Sequence, residues 1–517
     1  MSQIIIILTI IAYLLLMLYI GWICSKKNSS VDDFYLGGRQ LGPLVTAMSA
    51  EASDMSSWLL MGLPGVAYLS GMASASWTAI GLAAGTYINW LIVAKRIRLY
   101  SKSYDAFTLP DFFARRFGDE KHVITLISAV IIIVFFIPYT ASGFAACGKL
   151  FSSIFGVDYT MAMIVSAAVI IAYCTMGGFL AASTTDLIQS IIMTIALFII
   201  LAFGVNIAGG MDVIMANARA LPGYLSLTQS YDPVAKTATP YDFVNIISTA
   251  AWGLGYFGMP HILLRFMAIK DEDKLKISRR VASVWAVISM GIAVFIGIIG
   301  YSMSKAGAIP VLTGSASETI IVRASHLLST FGAFPAICAG VILAGILAAT
   351  MSTSDSQLLA AASSFSQNIV TEFFGKTLSE KNSMRAARWT VIAIAVIGII
   401  IARNPDSSVF EIVSFAWAGF GATFGPVVLA SLFWRGVNRQ GVIAGMLSGG
   451  VMIFLWKYGI AKLGGIFAIY ELLPAFIVAI LAMFLVSKLT GSADPAVVAE
   501  FDAVKAENAA KLSNPLN

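Results

Sequence analysis

Long apolar stretches recur along this chain from residue 3 to residue 487, separated by short polar segments. Stretches of about 18 or more apolar residues are long enough to cross a bilayer as α-helices. We count thirteen, called spans 1 to 13 here, at about 3–23, 41–65, 70–94, 123–150, 158–182, 187–208, 243–267, 281–303, 328–355, 386–402, 409–434, 438–459 and 466–488. The pattern predicts an all-α polytopic membrane protein.

The ends of the chain fit the same prediction. Span 1 is too long for a signal peptide and lacks a small-residue cleavage site, so we expect a retained helix. We expect residues 1–489 to form one transmembrane domain and 490–517 a cytoplasmic tail. The composition agrees, because 58% of the residues are hydrophobic, only 12% are charged, and the mean hydropathy is +0.86.

The basic residues predict the orientation. Lysine and arginine accumulate on the cytoplasmic side of a membrane. With the N-terminus outside and the C-terminus inside, 25 of the 33 basic residues fall in inner segments, with Arg265 counted among them. The net charge of +6 then reflects the lysine and arginine residues that fix the orientation in the membrane. Nothing in the charge pattern indicates nucleic-acid binding, and no feature indicates an obligate protein partner.

Cysteine and histidine are scarce and scattered. Four cysteines and three histidines show neither disulfide nor metal-ligand spacing. A membrane enzyme usually needs such a cluster, or a nucleophile with a base. We therefore expect no enzyme and no bound cofactor. The residues are Cys24, Cys147, Cys174, Cys338, His122, His261 and His326.

Span 2 contains two carboxylates in an otherwise apolar stretch. Glu51 and Asp54 lie with four serines between Met48 and Gly65. A carboxylate at bilayer depth costs roughly 2.5–3.5 kcal/mol and persists where it faces a bundle interior, a cavity or a counter-ion. The segment is therefore a candidate site.

Span 7 contains a second interruption, between Ala251 and Ile262. Three glycines and a proline within eight residues break the hydrogen-bond ladder of the helix, with Trp252 and Tyr256 on one face. Such breaks are tolerated in a membrane only where the freed backbone faces protein or a cavity. Close helix packing is the alternative explanation for the glycines.

The two interruptions are five spans apart. Paired broken helices at corresponding places in two halves are typical of inverted-repeat secondary transporters, whose site lies near the bilayer midplane. Because five is odd, the second repeat runs opposite to the first through the membrane. The spacing thus predicts a five-plus-five inverted repeat.

Span 9 carries small polar residues on one face. Ala349, Ser352 and Thr353 are spaced i, i+3, i+4. Hydroxyl and carbonyl oxygens are neutral ligands that suit a small hard cation. Serine and threonine also bond back to their own helix or to neighbouring helices, and this alternative stays open.

Several motifs together resemble the sodium/solute symporter family, most nearly its sodium/proline symporters, over residues 5 to 490. They are Gly37-Gly-Arg-Gln-Leu-Gly-Pro, Ser53-Asp-Met-Ser, Trp58-Leu-Leu-Met-Gly-Leu-Pro-Gly, Tyr173–Leu180 with Thr185-Asp186, Trp252–Pro260 and Met351-Ser-Thr. The resemblance implies a ten-helix LeuT-type core over 41–434, one extra helix at 1–23 and two at 438–488.

The resemblance also implies two sites. Sodium would bind the carbonyls of Ala52, Met55 and Ala349 and the side chains of Ser352 and Thr353. Substrate binding or coupling would involve Asp54, Ser56, Ser57, Tyr139, Trp252, Tyr256 and Pro260.

Two further residues match inner-side positions that the family links to sodium affinity or release. They are Arg39 and Asp186. Their alternatives are an ordinary positive-inside residue and a cap that opens span 6. Two positions depart from the proline symporters, with Ser57 in place of glycine and Met259 in place of glutamine, and Glu51 is unexpected; it would face the outer vestibule or a second cation.

The resemblance implies a multi-pass protein of the plasma membrane, in a prokaryote the inner membrane. We expect a secondary active transporter that imports L-proline with sodium by alternating access. Another small amino acid or carboxylate as the substrate, or a substrate-sensing membrane module, remain alternatives. A channel is disfavoured because broken-helix sites favour occlusion over a continuous pore.

Overall fold

The computed structural model describes residues 1–25, 36–376 and 379–512, and the predicted all-α architecture is confirmed there. Each of the thirteen predicted stretches is helical. The helices are Ser2–Ser25, Gly37–Arg39, Pro43–Asp54, Trp58–Gly62, Leu63–Ser70, Met72–Ile88, Asn89–Val93, Ala94–Ser103, Leu109–Arg116, Val123–Phe155, Tyr159–Ile207, Met211–Arg219, Phe243–Ala250, Ala251–Gly258, Pro260–Ala268, Glu272–Lys274, Leu275–Lys305, Gly314–Thr319, Ile320–Leu328, Ser329–Phe331, Ala333–Ser363, Ser364–Phe373, Glu380–Ile401, Val409–Phe433, Arg439–Tyr458, Ile460–Leu463, Gly465–Phe467, Leu472–Leu489, Pro495–Glu507 and Ala509–Leu512.

Within the described residues, nine helices are long and apolar enough to cross a membrane. The other four predicted spans are not among these nine. Spans 2 and 7 are interrupted, span 5 is the shorter apolar helix Tyr159–Ala172, and span 10 is the helix Glu380–Ile401. The count of thirteen crossings and the orientation stay predictions.

The boundary between spans 5 and 6 differs from the predicted one. The helical stretch Tyr159–Ile207 breaks at Gly178, whose φ of 67° is in the left-handed region that favours glycine. Span 6 therefore begins near residue 178 and not near 187. As a result Asp186 lies about two turns inside the helix and does not cap its start. The side chains of residues 173–177, part of a family motif, lie outside the described residues.

Glycines bring the interrupted span 7 against its neighbours. A Cβ on Gly81 would lie 2.3 Å from the carbonyl oxygen of Ala250, and one on Gly85 would lie 2.3 Å from that of Gly253. On the opposite side, a Cβ on Gly258 would lie 2.3 Å from the carbonyl oxygen of Phe420. Spans 3 and 11 thus hold the break of span 7 at backbone contact distance.

The polar stretch 210–242 contains structure that the sequence pattern did not reveal. The helix Met211–Arg219 is followed by an antiparallel hairpin, Gln229–Asp232 with Thr237–Pro240, in which Gln229 pairs with Pro240. Tyr224 anchors this segment by donating its hydroxyl to the carbonyl of Tyr68 at 2.8 Å.

The tail folds back onto the helical bundle. Phe501 in the helix Pro495–Glu507 is only 3% exposed, and the Arg116 guanidinium lies 4.1 Å from its ring centre. Asp502 forms an ion pair with Arg435 at 2.8 Å. The predicted tail is therefore docked at least to residue 512, while residues 513–517 lie outside the described part.

We predict that Gly85→Ala lowers thermal stability, because the added methyl would meet the Gly253 carbonyl and force spans 3 and 7 apart. Overpacking of this kind costs about 1–3 kcal/mol. Thermal unfolding of the purified protein in detergent measures the effect. Gly291→Ala is the control, because nothing lies within 4 Å of its Cβ and alanine favours a helix. Equal melting temperatures for the two variants would contradict the predicted contact.

Candidate functional site

Span 2 is interrupted directly after Asp54. The helix Pro43–Asp54 ends at Met55 (φ −79°, ψ 68°), and helical structure resumes at Trp58. The freed carbonyl of Asp54 accepts hydrogen bonds from the Tyr139 hydroxyl at 3.1 Å and the Trp58 indole at 3.3 Å. The Ser56 backbone amide also donates to this carbonyl at 2.8 Å. A backbone group at the break is thus satisfied by the local turn and by side chains from inside the protein.

Span 7 is interrupted in the same manner. Residues Ala251–Gly258 form a 3₁₀ helix, Met259 is extended, and Pro260 starts the helix Pro260–Ala268. Two freed carbonyls find partners on other spans. The Trp417 indole donates to the carbonyl of Trp252 at 2.7 Å, and the Asn89 amide donates to that of Tyr256 at 3.1 Å.

The two interruptions face each other. The Tyr256 hydroxyl donates to Asp54 Oδ2 at 2.5 Å, and the Trp58 and Trp252 ring centres are 6.1 Å apart. Asp54 is fully buried, and its Oδ1 has no hydrogen-bond partner among the described residues. The structure therefore brings together the two segments that the sequence singled out separately.

The remaining predicted substrate residues lie in the same two breaks. Ser56 is 3% exposed and Ser57 is fully buried, the latter with a hydroxyl that has no partner in the described part of the chain. Pro260 is buried at the start of the second half of span 7.

Three aromatic residues around Trp252 escaped the sequence analysis. The ring centres of Phe410, Tyr470 and Trp417 lie 5.1, 5.3 and 6.4 Å from that of Trp252. They come from span 11 and from the first residues of span 13, just before the helix Leu472–Leu489. The hydrophobic pattern does not distinguish them as site residues, because most aromatic residues in a span pack against neighbouring helices.

A buried ion pair lies beside Phe410, one of these aromatic residues. Lys149 and Glu318 contact at 2.6 Å. Glu318 also accepts from the backbone amide of Phe410 at 3.0 Å and from the Ser408 hydroxyl at 2.8 Å. The segment Gly314–Thr319 is thereby tied to spans 4 and 11 on the side predicted to be outer.

The polar face of span 9 meets the break of span 2. The Ser352 hydroxyl donates to the carbonyls of Ala52 at 2.8 Å and Ala349 at 3.2 Å, and Thr353 donates to the Ala349 carbonyl at 3.1 Å. The bonds to Ala349 are ordinary helix back-bonds, as the alternative predicted. The bond to Ala52 crosses between spans. Met55 lies three residues beyond Ala52, where the first half-helix ends.

A separate polar network includes Asp186, one of the two predicted inner-side residues. Asp186 pairs with Arg265 at 3.2 Å and accepts from Ser49 at 2.6 Å, and Arg265 donates to Ser356 at 2.5 Å. Asp186 is therefore buried in an ion pair and is not a helix cap. Sequence reasoning counted Arg265 among inner-loop basic residues and missed this role.

Arg39 forms several hydrogen bonds to backbone carbonyls. Its guanidinium donates to the carbonyls of Ala106 at 2.6 Å, Met267 at 2.9 Å and Ser101 at 3.2 Å. It joins the start of span 2 to the segment after span 3 and to the end of span 7. The alternative of an ordinary positive-inside residue stays open, because these bonds do not test the orientation.

Glu51 does not face an outer vestibule. It is 1% exposed, and its Oε1 accepts from the Thr86 hydroxyl at 2.9 Å and the Trp90 indole at 3.1 Å. Both partners are on span 3. The expectation of an outer vestibule is therefore corrected, because Glu51 is a buried contact between spans 2 and 3. The alternative of a second cation stays a prediction.

Two interrupted helices meeting inside a helical bundle define a LeuT-type secondary transporter. A solved structure of similar fold is that of a Na+-coupled sialic acid symporter in a substrate-bound outward-open state. It aligns with a TM-score of 0.76 at 18% identity and covers 95% of this chain and 99% of that one.

The sodium:solute symporter family model matches residues 34–449. The sodium/proline symporter of Haemophilus influenzae (strain ATCC 51907 / DSM 11121 / KW20 / Rd) is 41% identical and covers 98% of each chain. The osmoregulated proline transporter OpuE of Bacillus subtilis (strain 168) is 40% identical and covers 94% of this chain and 95% of its own. This chain belongs to the sodium:solute symporter family.

Proposed function

We propose that this protein imports L-proline together with sodium by alternating access across the plasma membrane. The observation that carries the proposal is the meeting of the two interrupted helices, where Tyr256 contacts Asp54 close to the Ser352 bond to Ala52. The names of the relatives support proline as the substrate.

Sodium would bind five oxygens contributed by spans 2 and 9. Hard cations prefer oxygen ligands. The carbonyls of Ala52 and Ala349 are within hydrogen-bond distance of the Ser352 hydroxyl, which indicates that these oxygens converge. The other two ligands would be the Met55 carbonyl and the Thr353 hydroxyl.

Proline would bind between the two interruptions. Its carboxylate suits freed amides at the end of a broken helix, where the helix dipole is positive. Its ring suits the faces of Trp252 and Tyr256. The secondary ammonium would donate to Asp54, whose Oδ1 has no partner among the described residues. Ser56, Ser57, Tyr139 and Pro260 would complete the surroundings.

The inner network would control release. Arg39 and the Asp186–Arg265 pair join the inner halves of spans 2, 3, 6, 7 and 9. Opening the predicted inner side requires these bonds to break. We therefore propose that Arg39 and Asp186 affect sodium release and not substrate choice.

Membrane potential supplies the driving force. One positive charge crossing 100 mV gains about 2.3 kcal/mol. Since about 1.4 kcal/mol is a factor of ten, each sodium supports roughly 40-fold accumulation of proline before its own concentration gradient is counted.

A different small substrate is the second candidate, because Ser57 and Met259 depart from the residues expected of proline symporters. The buried Ser57 hydroxyl without a partner in the described chain favours it. A substrate-sensing module, the other alternative, would bind substrate without transporting it across the membrane.

Reconstitution into proteoliposomes tests the proposal. We predict that radiolabelled proline accumulates when an inward sodium gradient and an inside-negative potential are imposed, and that unlabelled proline inside drives counterflow. A competition panel of amino acids and carboxylates identifies the preferred substrate. Equal uptake with potassium in place of sodium, without a proton gradient, would remove the sodium claim, and binding without counterflow would indicate a sensor.

We predict that Thr353→Val raises the sodium concentration for half-maximal uptake by roughly five- to 150-fold, because a lost ligand costs about 1–3 kcal/mol by analogy with hydrogen bonds to charged groups. Thr353→Ser should be tolerated. Thr350→Val is the control, since Thr350 lies about one turn earlier and back-bonds to Ile346 at 3.0 Å. An unchanged sodium dependence in Thr353→Val would mean that this hydroxyl is only a back-bond.

We predict that Trp252→Ala weakens proline binding at saturating sodium at least tenfold, because the ring loses its aromatic contact. Sodium binding without proline should change little. Equilibrium binding of labelled proline to the purified protein gives the affinity. Trp389→Ala, at a residue 70% exposed on span 10, is the control. If both variants bound proline equally well, Trp252 would be a packing residue.

A further inference from the structure

Span 3 carries a buried polar face that reaches both interruptions. Thr86, Asn89 and Trp90 are spaced i, i+3, i+4, and each is at most 2% exposed. Thr86 and Trp90 donate to Glu51 of span 2, while Asn89 donates to the carbonyl of Tyr256 in span 7. A π-helical turn, Asn89–Val93, begins at this face. Such turns are frequent at functional sites.

The hydrogen bonds form a closed path through three spans. Glu51 and Asp54 lie one turn apart in the first half of span 2. From Asp54 the path runs to the Tyr256 hydroxyl at 2.5 Å, and from the Tyr256 carbonyl to Asn89 at 3.1 Å. It returns along span 3 to Thr86 and Glu51. Each break is thus tied to the same surface of span 3.

Backbone contact makes this connection stiff. Gly81 and Gly85 precede the polar face on span 3, and a Cβ on either would lie 2.3 Å from a span 7 carbonyl oxygen. No side chain separates the two backbones, so span 7 cannot shift against span 3 without breaking close contacts.

The path connects the two proposed sites. Glu51 adjoins Ala52, a proposed sodium ligand, and Tyr256 is a proposed substrate residue. We propose that Glu51 and Asn89 are positioning residues that couple sodium binding to proline binding. Sodium at the carbonyls of Ala52 and Met55 fixes the end of the first half of span 2. The contacts of Glu51 with span 3, and of Asn89 with span 7, then hold Tyr256 where proline needs it. This inference rests on the proposed function.

The coupling factor distinguishes this role from a merely structural one. It is the ratio of the proline dissociation constant without sodium to that at saturating sodium, and typical allosteric couplings are 5- to 150-fold. Loss of a positioning contact lowers the ratio. General damage to the fold weakens proline binding by the same factor at every sodium concentration and leaves the ratio unchanged.

Equilibrium binding of labelled proline to the purified full chain, with choline replacing sodium, measures the ratio. We expect Asn89→Ala and Glu51→Ala each to lower it at least fivefold. Glu51→Gln should stay within twofold of the unsubstituted protein, because the amide oxygen still accepts from Thr86 and Trp90. Asn217→Ala, which removes a 2.7 Å bond to Ser302 away from both breaks, is the matched control and should leave it unchanged.

Thr86→Val is a second, milder variant, in case the alanine variants fail to fold. It removes one of two donors to Glu51 at nearly constant shape, and we expect the ratio to fall two- to fivefold. An unchanged ratio in the folded variants, or an equal loss in Glu51→Gln and Glu51→Ala, would overturn the inference and leave the proposed function standing. An unsubstituted protein without sodium-dependent proline binding would overturn the proposed function first.

Discussion

A helix interrupted inside a membrane leaves backbone groups without partners, and this constraint organises the centre of the protein. Water cannot satisfy those groups in hydrocarbon, so other parts of the protein must. The carbonyls of Asp54, Trp252 and Tyr256 accept from side chains on spans 4, 11 and 3. The interruptions therefore determine which spans surround the site and how closely they approach.

The two buried carboxylates Asp186 and Asp54 have different kinds of partner. Asp186 is neutralised within the protein by Arg265. The Asp54 carboxylate accepts only from the Tyr256 hydroxyl among the described residues, so one of its oxygens remains available to a ligand. Breaking a buried ion pair leaves an uncompensated charge and is costly. Under the proposed function, the Asp186–Arg265 pair would stabilise closure of the inner side, and a cation or an ammonium group would be the partner of Asp54.

The sequence predicted the features that depend on local chemistry. Carboxylates in an apolar stretch, clustered glycines and an i, i+3, i+4 polar face each have a local physical meaning, and they identified Asp54, Tyr256 and Ser352. The bond from Ser352 to Ala52 joins residues 300 positions apart, and the family resemblance, not the local pattern, placed them together.

Features that depend only on long-range packing were not predictable. Asn89, Trp417 and Tyr470 look like ordinary helix or loop residues until the fold brings them to the breaks. Arg265 looked like one more inner basic residue. The boundary between spans 5 and 6 was predicted near residue 187 and not at Gly178. A single glycine in an apolar stretch resembles many packing glycines, and only its positive φ distinguishes it.

A structure determined at high sodium and proline concentrations would show directly whether the two sites lie at the interrupted helices. We expect one ion among the oxygens of Ala52, Met55, Ala349, Ser352 and Thr353, with the Ser352 hydroxyl turned from the Ala52 carbonyl toward the ion. We also expect proline between Asp54, Tyr256 and Trp252. An ion bound elsewhere, with the Ser352 bond to Ala52 intact, would contradict this expectation.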